Sequence, residues 1–149
     1  MELELEIHQP SFKNEYQKMV INLLYTSSWL QNIVAQHLKS YGISPQQFNI
    51  LRILRGQYPK PARMHLIQER MLDKMSNASR LVEKLRQKGL VERTICENDR
   101  RAVDVLITRK GMDLLLTLDQ AEDTWQKKLH HLSEDEAHQL NVLLDELRG

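Results

Sequence analysis

The chain has 149 residues, of which 41% are hydrophobic and 28% charged, with a formal net charge of +1 and one cysteine. This length suits a single domain with its own core, and the composition excludes a disordered chain. One cysteine excludes an internal disulfide framework. The acidic start lacks the pattern of a signal peptide, and no stretch approaches a membrane span, so we expect a cytoplasmic protein.

The charge is unevenly distributed along the chain. Residues 60–110 hold thirteen Lys and Arg against seven Asp and Glu, a net charge of +6, whereas the two flanks together hold −5. A basic centre between acidic flanks is typical of a DNA-binding segment joined to ends with another role. A chance cluster of solvated charges explains the same numbers, so this pattern alone leaves both interpretations open.

Helical periodicity dominates the first half of the chain. Apolar residues three and four apart predict a long helix over residues 12–40, whose wide apolar stripe needs a partner in this chain or in a second subunit. A second helix begins near Ser44, where Pro45 fits the first turn, and ends before the loop that follows Gly56. The residues of the first stripe are Phe12, Tyr16, Met19, Val20, Leu23, Leu24, Leu30, Ile33, Val34 and Leu38.

The centre of the chain changes from helical to strand periodicity. A short helix is predicted over residues 63–71, a turn over 73–77, and a further helix from that turn to Lys88, stopped by Gly89. Residues 90–96 and 103–108 alternate and are rich in β-formers, so they predict a hairpin with its polar tip at 97–101.

Two helices complete the chain. One follows the capping residue Thr108 to about residue 129, and the last follows a capping box formed by Ser133 and Glu136. The element order predicts a mainly α fold, a winged helix-turn-helix with a small antiparallel β-hairpin wing. Long N- and C-terminal helices flank this unit.

The second helix of such a pair reads DNA with the side chains at its start. Asn pairs with adenine and Arg with guanine, while Ser and free backbone N–H groups bind phosphate. The candidate DNA-binding residues here are Ser76, Asn77, Ser79, Arg80 and Lys84. Simple helix capping explains the first three equally well, and a solvated face explains the last two.

The predicted wing adds a second basic element. Arg100 and Arg101 lie at its tip, where Arg side chains can enter a narrow minor groove. Asp99 precedes them and would repel phosphate, so we expect it to accept hydrogen bonds from an Arg and fix the shape of the wing. The alternative for Asp99 is an ordinary turn residue.

The central run resembles one known family. MSNASRLVEKLRQKGLVER at residues 75–93 is similar to the recognition helix and first wing strand of the MarR family, and NDRRAVDVLITRKG at residues 98–111 resembles its wing signature. The resemblance implies one domain over residues 1–149, with dimerisation helices at 12–40 and 109–147 and a winged helix-turn-helix at 44–108. It also implies a homodimer on a pseudo-palindromic operator in double-stranded DNA, and release by a small aromatic ligand.

The remaining signals are weaker. Cys96 is more often a packed strand residue than a reactive thiol, although the sequence leaves its redox activity open. His130, His131 and His138 lack metal-ligand spacing, and no catalytic set is present, so we expect no metal, no cofactor and no enzyme. Four aromatic residues on the long helices are interpreted first as core and second as a ligand pocket: Trp29, His37, Tyr41 and Trp125.

We therefore expect a sequence-specific transcription regulator, a repressor by family resemblance. The alternative is a winged-helix adaptor that binds proteins and not DNA. The two differ in the need for a basic face, since an adaptor has no use for Arg80, Lys84, Arg100 and Arg101 together.

Overall fold

A computed structural model describes residues 1–96 and 99–149, and for Cys96, Arg100 and Arg101 it describes the backbone alone. The chain forms two compact units, Met1–Pro45 and Gln46–Gly149. Each unit is described by itself below.

The first unit contains a long helix preceded by a short one. Helix α1 spans Leu3–Glu6 and helix α2 spans Glu15–Lys39. Helix α2 begins at Asn14, whose side chain accepts a hydrogen bond from the Gln17 N–H, so it starts slightly later than predicted. Helix α1 was not predicted, because four residues carry too little periodicity to detect.

The second unit contains the rest of the predicted fold. Its elements in chain order are α3 (Pro45–Gln57, which begins at the boundary), β1 (Ala62–Arg63), α4 (Met64–Arg70), α5 (Ala78–Gln87), β2 (Val91–Cys96), β3 (Asp99–Ile107), α6 (Arg109–Gln126), a 3₁₀ turn (Lys127–Leu129) and α7 (Glu134–Arg148). Gly89, with φ +73°, follows α5 in the left-handed conformation that commonly ends helices.

The sheet has three antiparallel strands in the order β1-β3-β2. The predicted two-stranded hairpin therefore lacked a strand: Ala62 pairs with Val105, and Arg63 with Asp104. A two-residue strand shows no alternation, so only its tertiary pairing reveals it. The predicted tip was also too wide, since β3 begins at Asp99 and not at residue 103.

The core of the second unit is built from buried residues of α3, α4, α5, α6 and the three strands. Helix α5 buries Ala78, Val82 and Leu85, at the spacing expected for a helix with a single apolar face. These side chains belong to a larger set of fully buried apolar residues that includes Ile50, Leu51, Leu54, Ile67, Met71, Val91, Val105 and Leu115. One face of α5 thus packs on the core, and its opposite face remains in solvent.

Both units leave apolar helix faces exposed. On α2, Tyr16, Val20 and Leu24 are spaced by one helical turn and are 77%, 51% and 68% exposed. Helix α7 has no buried residue. Its capping box is as predicted, with the Ser133 hydroxyl accepting from the Glu136 N–H and the Glu136 carboxylate accepting from the Ser133 N–H. The mainly α, winged helix-turn-helix fold predicted from the sequence is confirmed.

Candidate nucleic-acid interface

The start of α5 is capped by a side chain, and Ser79 and Arg80 of its first turn are exposed to solvent. The Asn77 side-chain oxygen accepts a hydrogen bond from the Arg80 N–H at 3.1 Å. Asn77 is exposed, and Ser76 is partly buried with its hydroxyl oxygen lacking a partner among the described residues. Helix capping, the local interpretation of Asn77, is thus present in the structure, and pairing of Asn77 with adenine stays a prediction.

The outer face of α5 is polar and basic. Ser79, Arg80 and Lys84 are all exposed, whereas Val82 and Leu85 on the other side are buried. Within the described part of the chain, neither Arg80 nor Lys84 forms an ion pair. Two unneutralised cations one turn apart are suited to attract the phosphate backbone or to reach the edges of bases.

Other basic residues of the same region are neutralised internally. Arg86 donates two hydrogen bonds to the Glu83 carboxylate, at 2.7 and 3.0 Å, and Arg93 lies 3.4 Å from the same carboxylate. The Arg86 hydrogen bond lowers the pKa of Glu83 below its usual value. Glu83 therefore stays ionised and holds two guanidinium groups, which distinguishes Arg86 and Arg93 from Arg80 and Lys84.

A side chain of α4 holds the entrance to α5. The Gln68 amide nitrogen donates to the Ser76 carbonyl at 2.9 Å, and the Gln68 oxygen accepts from the Ala78 N–H at 3.1 Å. The preceding turn is held in a similar way, because the Asn49 side-chain oxygen accepts from the Leu72 N–H at 2.9 Å. The role of Gln68 was not predicted from the sequence, because a polar residue on a short helix gives no local indication of a partner distant in the chain.

The root of the wing is joined to the end of α5. The Thr108 hydroxyl accepts from the Gly111 N–H at 3.1 Å and donates to the Gly89 carbonyl at 2.7 Å. The Lys110 ammonium donates to the Lys88 carbonyl at 2.9 Å. These bonds connect the start of α6 to the loop between α5 and β2.

The predicted wing residues lie partly outside the described atoms. Asp99 is exposed and lines an open cavity of about 350 Å³ together with Arg63, Met64, His65, Ala102 and Val103. The side chains of Arg100 and Arg101 lie outside the description, so their predicted minor-groove contact stays a prediction. Arg63 and His65, two of the residues that line this cavity with Asp99, have basic side chains.

The four aromatic residues of the long helices differ in burial. Trp29 is 43% exposed, so its interpretation as a core residue is wrong. It lines a cavity of about 580 Å³ with Tyr25, Lys18 and the first residues of the chain. His37, Tyr41 and Trp125 are half-buried, and the rings of His37 and Tyr41 lie 5.7 Å apart.

The described residues form neither a metal site nor a membrane-spanning helix. Among those the structure describes, no three His, Cys, Asp or Glu side chains group closely enough to hold a metal ion. No described helix combines the length and apolar character needed to cross a membrane.

Comparison with known proteins identifies relatives of this chain. The MarR family model matches residues 43–103. The chain is 27% identical over 128 residues to the HTH-type transcriptional regulator MhqR of Bacillus subtilis (strain 168), covering 85% of each chain.

Solved structures have the same fold. A MarR transcription factor from Planctomyces limnophilus is 30% identical, with a TM-score of 0.70 over 91% of this chain and 98% of that one. The structure of S. aureus MepR in complex with DNA is 21% identical, with a TM-score of 0.72 over 92% of this chain and 97% of that one.

Proposed function

The chain belongs to the MarR family of transcriptional regulators, and on that premise we propose that it is a homodimeric repressor of a pseudo-palindromic operator. In this proposal, the first turn of α5 enters the major groove and the wing reaches the adjacent minor groove. The base-reading and phosphate-binding residues are Ser76, Asn77, Ser79, Arg80, Lys84, Arg100 and Arg101.

The basic face of α5 is the observation that carries the proposal. Arg80 and Lys84 are exposed and have no acidic partner within the described residues, although Glu83 lies between them in sequence. Glu83 is instead occupied by Arg86 and Arg93. Surface ion pairs contribute little to stability, so leaving these two cations unpaired costs the fold little, and it leaves both charges available to phosphates or base edges.

The exposed apolar faces support the homodimer. Tyr16, Val20 and Leu24 form an uncovered stripe on α2, and Leu140, Leu143 and Leu147 form another on α7. Large contiguous apolar surface is rare on monomers and marks interfaces. Two subunits related by a two-fold axis would place two copies of α5 on half-sites about 34–36 Å apart.

The proposal also includes control by a ligand. It rests on the family and on the exposed Trp29 beside the cavity of about 580 Å³ in the first unit. A ligand that binds more tightly to the form unable to span two half-sites would release the operator. A phenol suits a cavity with Trp and Tyr in its wall better than an aromatic acid does, because Glu2, Glu4 and Glu6 also line it.

Selection of bound sequences from random duplex DNA tests the function directly. We expect an inverted repeat, and log affinity that falls steeply and linearly with log salt as Lys and Arg displace counterions. No enrichment, together with a flat salt response, would contradict DNA binding and favour a protein-binding adaptor. A direct repeat would contradict the two-fold arrangement alone.

A matched pair of variants then tests the basic face of α5. Arg80→Ala and Arg86→Ala each remove one positive charge from α5, but only Arg86 is engaged by Glu83. We expect Arg80→Ala to reduce the preference for the selected operator over a scrambled duplex by about 1–3 kcal/mol, which is the value of one good base contact. Arg86→Ala should leave this preference close to that of the parent protein. Equal losses would indicate general electrostatics and not base reading.

A further inference from the structure

Gln68 contacts the backbone on both sides of the residue that caps α5. Its amide nitrogen donates to the carbonyl of Ser76 at 2.9 Å, and its amide oxygen accepts from the N–H of Ala78 at 3.1 Å. A longer contact of 3.5 Å joins the same nitrogen to the Lys74 carbonyl. One side chain of α4 therefore fixes both the approach to α5 and its first residue.

Two different side chains accept hydrogen bonds from the N–H groups at the start of α5. The first N–H groups of a helix have no partner within the helix. Asn77 accepts from the Arg80 N–H, and Gln68 accepts from the Ala78 N–H. Asn77 belongs to the same segment as α5 and moves with it, whereas Gln68 belongs to α4. Of these two side chains, Gln68 is therefore the one that sets the first turn of α5 relative to another element.

Packing fixes this turn less completely than it fixes the middle of the helix. Ala78 is buried, but Ser76, Asn77, Ser79 and Arg80 are partly or fully exposed. Contacts with base edges require side chains held within about 0.5 Å and 10–20° of their productive geometry. The amide of Gln68 supplies direction as well as attraction, because its donor and acceptor must each face the correct backbone group.

We propose that Gln68 is a positioning residue for DNA reading: it touches no base itself, and it holds the first turn of α5 in the orientation that base contacts require. This inference rests on the proposed DNA-binding function and goes further, since it assigns discrimination between sequences to a residue of α4. Loss of Gln68 should affect the preference for the operator more than it affects folding.

Thr108 provides a matched control within the same unit. Its hydroxyl also accepts from an N–H in a first helical turn, that of Gly111, and also donates to a carbonyl, that of Gly89. Gln68→Met and Thr108→Val each keep the approximate shape of the side chain and remove one donor and one acceptor. Both variants should lose thermal stability to a similar extent, but only the first loosens the start of α5.

The experiment measures affinity for the selected operator and for a scrambled duplex of equal length. The ratio of the two affinities removes most of the general phosphate attraction, because both duplexes carry the same charge. We expect Gln68→Met to reduce the ratio about ten-fold, comparable with one mismatched base pair. Thr108→Val should change the ratio less than about two-fold, because a looser wing root weakens binding to both duplexes alike. Residue-resolved amide exchange of the free proteins should show faster exchange at Ala78 only in Gln68→Met, and at Gly111 only in Thr108→Val.

A second variant covers failure of the first to fold. Gln68→Glu keeps the acceptor for the Ala78 N–H and loses the donor for the Ser76 carbonyl, so its ratio should fall by an intermediate amount. A ratio unchanged in both Gln68 variants, or reduced equally in Thr108→Val, would overturn the positioning role. A parent protein with no operator preference would instead overturn the proposed function itself, and amide exchange would still report whether Gln68 holds Ala78.

Discussion

Replacement of Gly111 by alanine tests how closely α6 packs on the root of the wing. A Cβ atom at this position would lie 2.4 Å from the Leu90 carbonyl oxygen and 2.7 Å from Cγ1 of Ile107. Ordinary carbon–oxygen contacts are about 3.3–3.6 Å. The backbone at Leu90 would therefore have to move by about 1 Å, and Leu90 is hydrogen-bonded to Thr108 and buried.

The size of the effect follows from this displacement. Overpacking costs about 1–3 kcal/mol, and the higher helix propensity of alanine offsets up to about 1 kcal/mol of that cost. We expect Gly111→Ala to lower the free energy of unfolding by about 1–2 kcal/mol. For a chain of this size, that corresponds to a decrease in Tm of roughly 2–8 °C.

Gly56 is the control, because it also lies in a helix but has open space around it. A Cβ at Gly56 meets no described atom within 4 Å. Gly56→Ala should therefore raise Tm by about 1–4 °C through helix propensity alone. Calorimetry at one protein concentration measures both, since the proposed dimerisation would make Tm depend on concentration. A Gly111→Ala protein as stable as the parent would refute the close packing of α6 on the wing root.

Three further predictions concern the proposed function. Asp99→Ala should weaken operator binding by loosening the wing, although it removes a negative charge; tighter binding on operator and scrambled duplex alike would leave Asp99 an ordinary turn residue. Leu143→Glu, which places a charge on a side chain 62% exposed on α7, should shift sedimentation from dimer to monomer, whereas Asn141→Glu on the opposite side should not. A thermal-shift screen of aromatic acids and phenols should find a binder that also weakens DNA affinity; a screen without one would argue against ligand control.

The sequence by itself was sufficient to predict those elements whose signals lie within a few neighbouring residues. Spacings of three and four predicted the long helices, and the capping box at Ser133 and Glu136 was visible because its two members are three residues apart. Gly89 predicted the end of α5 because few other residues adopt its positive φ. The candidate DNA-binding residues at the start of α5 were also chosen from local sequence, and Ser79, Arg80 and Lys84 are exposed in the structure.

Contacts between residues distant in sequence were decided by the tertiary structure. Strand β1 exists because Ala62 and Arg63 pair with β3, forty residues later, and nothing in two residues indicates this. Gln68 and Gly111 are similar cases: the first bonds to a backbone ten residues away, and the second has no room for a Cβ beside Leu90. Arg80 and Arg86 look alike in the sequence, and only the position of Glu83 separates the cation available to a partner from the one already engaged. Periodicity and capping depend on neighbours within one or two turns, whereas pairing and close packing depend on where the folded chain brings its distant segments together.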